Sequence, residues 1–224
     1  MIDAARIVET LARLRASDLA FHVFGSEEHH YELKPVVTKR MVEEFESRHS
    51  IKLPSEYRDF IMNVGNGGAG PYYGLLSLGE FDRFQIGSLA EPFPHSDPWN
   101  VDDEWFQELE RLSQAAMKRP ERPLKELLAE TPSADNPTKK RMEMQSWYFD
   151  SCHVNGTIPL CHEGCNYYDL LVVSGPGRGT VWIDGRTSDG GIAPVLQPDG
   201  KPHSFSTWYD DWLTSSLAEV ETAT

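Results

Sequence analysis

The sequence predicts an α+β fold: a mixed or antiparallel central sheet covered by helices, with an aromatic C-terminal helix packed on it. Two observations carry this. Leu170 to Val173 is a continuous apolar run of strand length and Thr180 to Ile183 is a second β-favouring run, joined by the glycine- and proline-dense Ser174 to Gly179. Together they read as a hairpin buried on at least one face. Further on, Phe205 to Leu217 places Phe205, Trp208, Tyr209, Trp212, Leu213 and Leu217 on one helical face, with Asp210, Asp211, Ser215 and Ser216 on the other. Rings at this spacing bury on the order of 150 Å2 each, so the stripe reads as core and the helix as a lid on the sheet.

Taken in order, Ala4 to Leu14 carries Ile7, Val8, Leu11 and Leu14 at helical spacing, with Asp3 placed to cap it. Phe21 to Phe24 reads as extended. A helix from Thr38 to His49 puts Met41, Phe45 and His49 on one face. Pro54 suits a first helical turn, and Tyr57, Phe60, Ile61 and Val64 follow at i, i+3, i+4 and i+7. Gly65 to Pro71 then stops that helix and turns the chain into a strand at Leu75 to Leu78. Glu91 to Trp99 has three prolines, which exclude regular helix and central strand. Asp102 to Lys118 returns to a helical pattern with Trp105, Phe106, Leu109 and Leu112 as its apolar face. A short helix is predicted at Leu124 to Glu130, a loop at Thr131 to Pro137, and helix or strand at Met142 to Phe149. Strand signals resume at Thr157, so 91–151 reads as a helical, proline-rich insertion within one domain spanning 1–224. Ile192 to Leu196 adds a strand, and Pro198 to Pro202 turns the chain toward the last helix.

Composition narrows the function classes. The 224 residues are 39% hydrophobic, enough for a sizeable core. No run of eighteen apolar residues occurs, and Asp3, Arg6, Glu9 and Arg13 interrupt the first fifteen residues, so neither a membrane span nor a signal peptide is expected. Three cysteines fit a reducing compartment, and the expected location is the cytoplasm. Thirty-five acidic against twenty-one basic residues give a formal charge of −14, which disfavours nucleic acid and anionic membrane and favours a basic partner.

Each candidate for chemistry has a structural counter-reading. The glycine-rich Gly65 to Pro71 follows a helix and lacks a Lys-Ser/Thr pair, so it does not read as a phosphate loop. Cys152, His153, Cys161, His162 and Cys165 fall close together, but without the paired spacing of zinc sites. Buried thiols and a strand-entrance histidine are the expectation, with no metal and no cofactor. A G-x-S-x-G elbow is absent and no cysteine sits in a catalytic context, so no catalytic residue is assigned. His29 and His30, beside Glu27 and Glu28, read as solvated surface. The acidic clusters point instead to recognition: Glu80, Asp82, Asp97, Asp102, Asp103 and Glu104, with Trp99 as an aromatic anchor, form a carboxylate set suited to a basic protein face. The competing reading is a solvated helix start, with Asp102 to Glu104 facing the helix dipole.

With these segments placed, the chain resembles the SUKH superfamily, in the branch named after a yeast regulator of cell-wall synthesis. The resemblance rests on Leu53-Pro54 with Tyr57 and Phe60, on Gly65 to Pro71 with Gly74-Leu75, and on Pro92-Phe93-Pro94-His95. It continues through Asn155-Gly156, Ile158 to His162, Gly164-Cys165, Leu171 to Val173, Gly175-Pro176, Gly179, Val181-Trp182 and the terminal Phe205, Trp208, Tyr209, Trp212 and Leu213. It implies a non-enzymatic bacterial immunity protein whose partner is a cognate polymorphic toxin, often a nuclease, without fixed catalytic residues. A regulatory scaffold binding a cellular protein is the alternative, as the fungal members suggest. A small metal-dependent enzyme built on the Cys/His cluster is a third.

Overall fold

Among the residues that the computed structural model describes, 2–80, 87–118 and 136–223, four strands form one antiparallel sheet in chain order. They are β1 (Thr157–Gly164), β2 (Tyr167–Val172), β3 (Val181–Asp184) and β4 (Ile192–Pro194). Leu170 pairs with Trp182 and Leu171 with Val181, so the predicted hairpin is the centre of the sheet. Its apolar run is unbroken because both faces are covered. Leu171, Val173 and Val181 join the main core with Ile158 and Leu160, while Leu170, Val172, Trp182 and Ile192 pack with Phe93 and Val154 on the other side.

Seven helices lie among the described residues: α1 (Ala4–Ser17), α2 (Ser26–His29), α3 (Lys39–His49), α4 (Ser55–Asn63), α5 (Asp103–Met117), α6 (Pro137–Tyr148) and α7 (Phe205–Ala223). Their starts follow from side chains that satisfy free backbone amides. Asp3 accepts from Arg6 N at 3.0 Å, Thr38 from Met41 N at 3.3 Å and Asp102 from Trp105 N at 2.8 Å, while Pro54 directly precedes α4. The last helix, α7, packs on α1 and α4. Phe205 lies 5.1 Å from Tyr57 between ring centroids and Tyr209 lies 4.8 Å from Phe60. The Tyr209 hydroxyl donates to the Ala69 carbonyl at 2.9 Å, and the Trp208 indole donates to Asp169 of β2 at 3.1 Å. The aromatic stripe is therefore core, as its spacing predicts.

The chain forms two units, one of Met1–Trp99 with Ser151–Thr224 and one of Asn100–Asp150. In the second, α5 and α6 pack on each other through Trp105, Phe106 and Tyr148, and Glu108 bonds both Arg111 and Lys140 at 2.6 Å. Helix α6 resolves the helix-or-strand alternative at Met142 to Phe149, and Pro137, expected in a loop, opens it. The predicted helix at Leu124 to Glu130 and the loop residues 131–135 lie outside the described residues.

Four local expectations are corrected. Phe21 to Phe24 is not extended: Asp18 takes the amides of His22 at 2.7 Å and Val23 at 3.2 Å with the Tyr31 hydroxyl at 2.5 Å, curling the chain into α2. His29 is buried in consequence, its ring against Tyr31 and Trp212, so it is not surface. On α3 the buried positions are Val42, Phe45 and Glu46, while Met41 is exposed, because the Glu46 carboxylate is satisfied inside by Lys52 and the Leu53 amide. Leu75 to Leu78 makes isolated bridges through Leu75 to Gly68 and Cys161, with no strand pairing beyond them among the described residues. At Gly68 the backbone has φ +92° and a Cβ would stand 2.3 Å from the Glu32 carbonyl, so the turn excludes any side chain there.

Candidate functional site

The predicted carboxylates have several structural roles. Glu80 accepts from the Ser77 amide at 2.7 Å and from the Lys34 ammonium at 3.2 Å, so it clamps its own turn. Asp82 lies outside the described residues. Asp97 is exposed and accepts from the Ser96 hydroxyl at 2.8 Å. Trp99 is half-buried, bridges to Ile192 through two 2.8 Å backbone bonds, and stacks on His153 at 4.2 Å and His95 at 5.2 Å. Asp102 is the cap of α5, and Asp103 and Glu104 are exposed in its first turn. Glu80, Asp97 and Trp99 belong to one unit and Asp102, Asp103 and Glu104 to the other.

The cysteines are free and differently placed. Cys161 is buried as expected, but Cys152 and Cys165 are exposed, which corrects the expectation of buried thiols at those two positions. Cys165 and Asn166, with φ of 48° and 62°, form the tight turn between β1 and β2, a conformation that suits a two-residue hairpin. Among the described residues, no three His, Cys, Asp or Glu side chains come together to hold a metal ion.

What the structure does assemble is a groove beside α7. One wall is a stripe of that helix: Trp208, Asp211, Trp212, Ser215, Ser216 and Glu219. These fall at i, i+3, i+4, i+7, i+8 and i+11, a single face that adjoins the core face. Asp211, Ser215 and Ser216, assigned from sequence to the side away from the rings, therefore share this stripe with Trp208 and Trp212. Opposite stand Val23, Phe24, Pro71 and Tyr72, with Val195 and His203 completing a cavity of about 410 Å3. Phe24 is 57% exposed, with its ring edge-on to Tyr72 and tilted against Tyr73. Gly25 makes that contact possible, since its φ is +77° and a Cβ would lie 2.0 Å from the Tyr72 carbonyl oxygen.

Two of the groove's rings lead to a pair of carboxyl groups, Asp169 buried and Glu163 half-buried. Asp169 pairs with Cys161 across β1 and β2, and its Oδ2 receives the Trp208 indole and the Cys161 thiol at 3.6 Å. Glu163 stands beside Asp169 and Tyr72 and leaves its Oε1 buried without a hydrogen-bond partner. Burial, reinforced by the charge of Glu163, pushes the Asp169 carboxyl up to about 8. Asp169 therefore favours its neutral, protonated form. Neither residue was singled out from sequence. A carboxylate inside an otherwise apolar strand, Asp169 before Leu170 to Val173, is the signal that could have found it.

The four-stranded antiparallel sheet, its helical cover and the closing aromatic helix define an α+β protein whose sheet is buried on both faces. The chain belongs to the SMI1 / KNR4 family (SUKH-1), whose model matches residues 36–197. Membership is compatible with an immunity protein. No curated protein and no solved structure matches the chain. Among the described residues, no helix is long and apolar enough to cross a membrane.

Proposed function

We propose that this is a non-enzymatic immunity protein that binds a cognate bacterial toxin and neutralises it by stoichiometric occlusion in the cytoplasm. The family match over residues 36–197 is the observation that carries the reading. The charge of −14 supports a basic partner such as a nuclease, because a field of one sign steers an oppositely charged protein into encounter. Asp97 in one unit, and Asp103 and Glu104 in the other, keep exposed carboxylates, and each is a proposed partner contact. Asp102 is proposed with them, from its capping position on α5. Trp99 supplies a ring that is half-buried and therefore ordered before contact. Glu80 and Asp82 complete the proposed acidic set.

The test is growth rescue. The chain is co-expressed with the toxin domain encoded beside its gene, and rescue should be specific to that toxin and lost for unrelated ones. Rescue requires a one-to-one complex and no turnover of any toxin substrate or product. Toxicity that persists despite equal expression of the chain would overturn the reading, and an adjacent region without a toxin gene would favour a regulatory scaffold.

A further inference from the structure

The rims of the α7 groove are acidic, and those acids are unoccupied. On the same helix, Asp210 pairs with Arg6 and Glu221 with Arg13. Asp211 and Glu219 are exposed, and neither has a cationic partner among the described residues. They stand eight residues apart on the groove stripe, with Trp212 and Ser215 between them. The facing wall is aromatic, with Phe24 largely exposed and Tyr72 half-buried. Burial and the nearby Glu163 charge together push the Tyr72 hydroxyl up, so a carboxylate lies close to this wall as well. Ring faces and carboxylates arranged around one recess attract a planar cation more strongly than any neutral group, and partial burial reduces the screening of that attraction.

We propose that this groove receives an arginine side chain of the protein partner, stacked between the Phe24–Tyr72 wall and Trp212 and bonded at its guanidinium to Asp211 or Glu219. The volume of about 410 Å3 is at the small end of ligand cavities, room for one long side chain. Arginine fits better than lysine because its flat, weakly hydrated head stacks on rings while its fork engages a carboxylate. The inference deepens the proposed function, from which it takes only that the partner is a protein. The chemistry of the groove stands independently of that reading.

The test uses the full chain labelled with 15N, following the indole N–H signals of Trp208 and Trp212. The probe is Nα-acetyl-arginine methylamide, compared with the neutral citrulline and leucine analogues. Both indole signals should move saturably with the arginine probe and stay in place with the other two. The Asp211→Asn, Glu219→Gln double variant should fold with an unchanged Tm and bind the arginine probe about threefold more weakly or worse, the loss expected of a partly exposed ion pair. Equal response to all three probes, no response to arginine, or unchanged affinity in the double variant overturns the assignment. In the growth assay, an Asp211→Arg, Glu219→Arg protein that still rescues cells also overturns it while leaving the immunity reading intact. Arginine binding without rescue by the wild-type chain does the reverse.

Discussion

Asp169 and Glu46 sit in the same unit with 2% and 1% of their surface exposed, yet their neighbours hold them in opposite protonation states. Around Asp169 the dominant influence is burial, and the nearby Glu163 adds repulsion, so the proton stays on. Burial pushes Glu46 the same way. Lys52 at 2.8 Å, the Leu53 amide at 3.0 Å and Arg58 at 3.6 Å overcome it, so its proton is shed below the usual carboxylate range. The consequences for stability have opposite signs. The folded protein holds a proton on Asp169 that the unfolded chain releases above the ordinary 3.8, so this contribution is lost as pH rises toward about 8. Glu46 contributes above the ordinary 4.5, and that contribution is lost as pH falls through its lower folded value. Urea midpoints measured from pH 3 to 8.5 should separate the two. Asp169→Asn keeps an acceptor for Trp208 and supplies a donor to Glu163, so it should flatten the decline above pH 4. Glu46→Gln should flatten only the acid side and cost about 2 kcal/mol at pH 7, the worth of charge-assisted hydrogen bonds.

At the scale of the element, helix starts were legible because a capping side chain is a local signal. Asp3, Thr38 and Asp102 each cap the helix predicted to begin beside them. Asp102→Ala should therefore destabilise α5 by about 1 kcal/mol, read as faster hydrogen exchange at the first-turn amides, with α1 and α3 unaffected. Elements made by distant partners were not legible. Helix α2 is only four residues long and is held by Asp18 and Tyr31, so no periodicity announces it. Leu75 to Leu78 has the composition of a strand, but its backbone ladder stops at a reciprocal pair between Leu75 and Gly68 and one bond from Leu76 to Leu160. The groove was hidden for a similar reason. Its α7 stripe obeys helical spacing, but Phe24 and Tyr72 reach it from loops whose path depends on Asp18 and Gly25.

For the whole molecule, the α+β class and the hairpin at its centre were readable because apolar runs and the aromatic stripe are properties of composition along the chain. The placement of acidic groups was not, since charge counts say nothing about which carboxylates find internal partners. Glu80, Asp210 and Glu221 are paired, whereas Asp211 and Glu219 are not, among the described residues. The net charge still has a consequence that needs no knowledge of the contact face. Association with the basic toxin proposed above as its partner should slow by tenfold or more, as an order of magnitude, between 0.02 and 0.5 M salt, with the dissociation rate much less affected, in stopped-flow measurements. A salt-independent association rate would mean that the acidic surface takes no part in encounter.

Helix α7 supplies Phe205, Trp208 and Tyr209 to a core whose other members lie mostly earlier in the chain. During translation α1, α4 and the hairpin leave the ribosome before the helix that covers them, and the Asp169 carboxyl waits in water for its indole partner. The nascent chain should therefore stay open until α7 is released. Ribosome-arrested chains ending near Pro202 should be cut readily by protease between α1 and β3, and chains extended past α7 should resist. Under the immunity function proposed above, only chains that have released α7 would protect the cell.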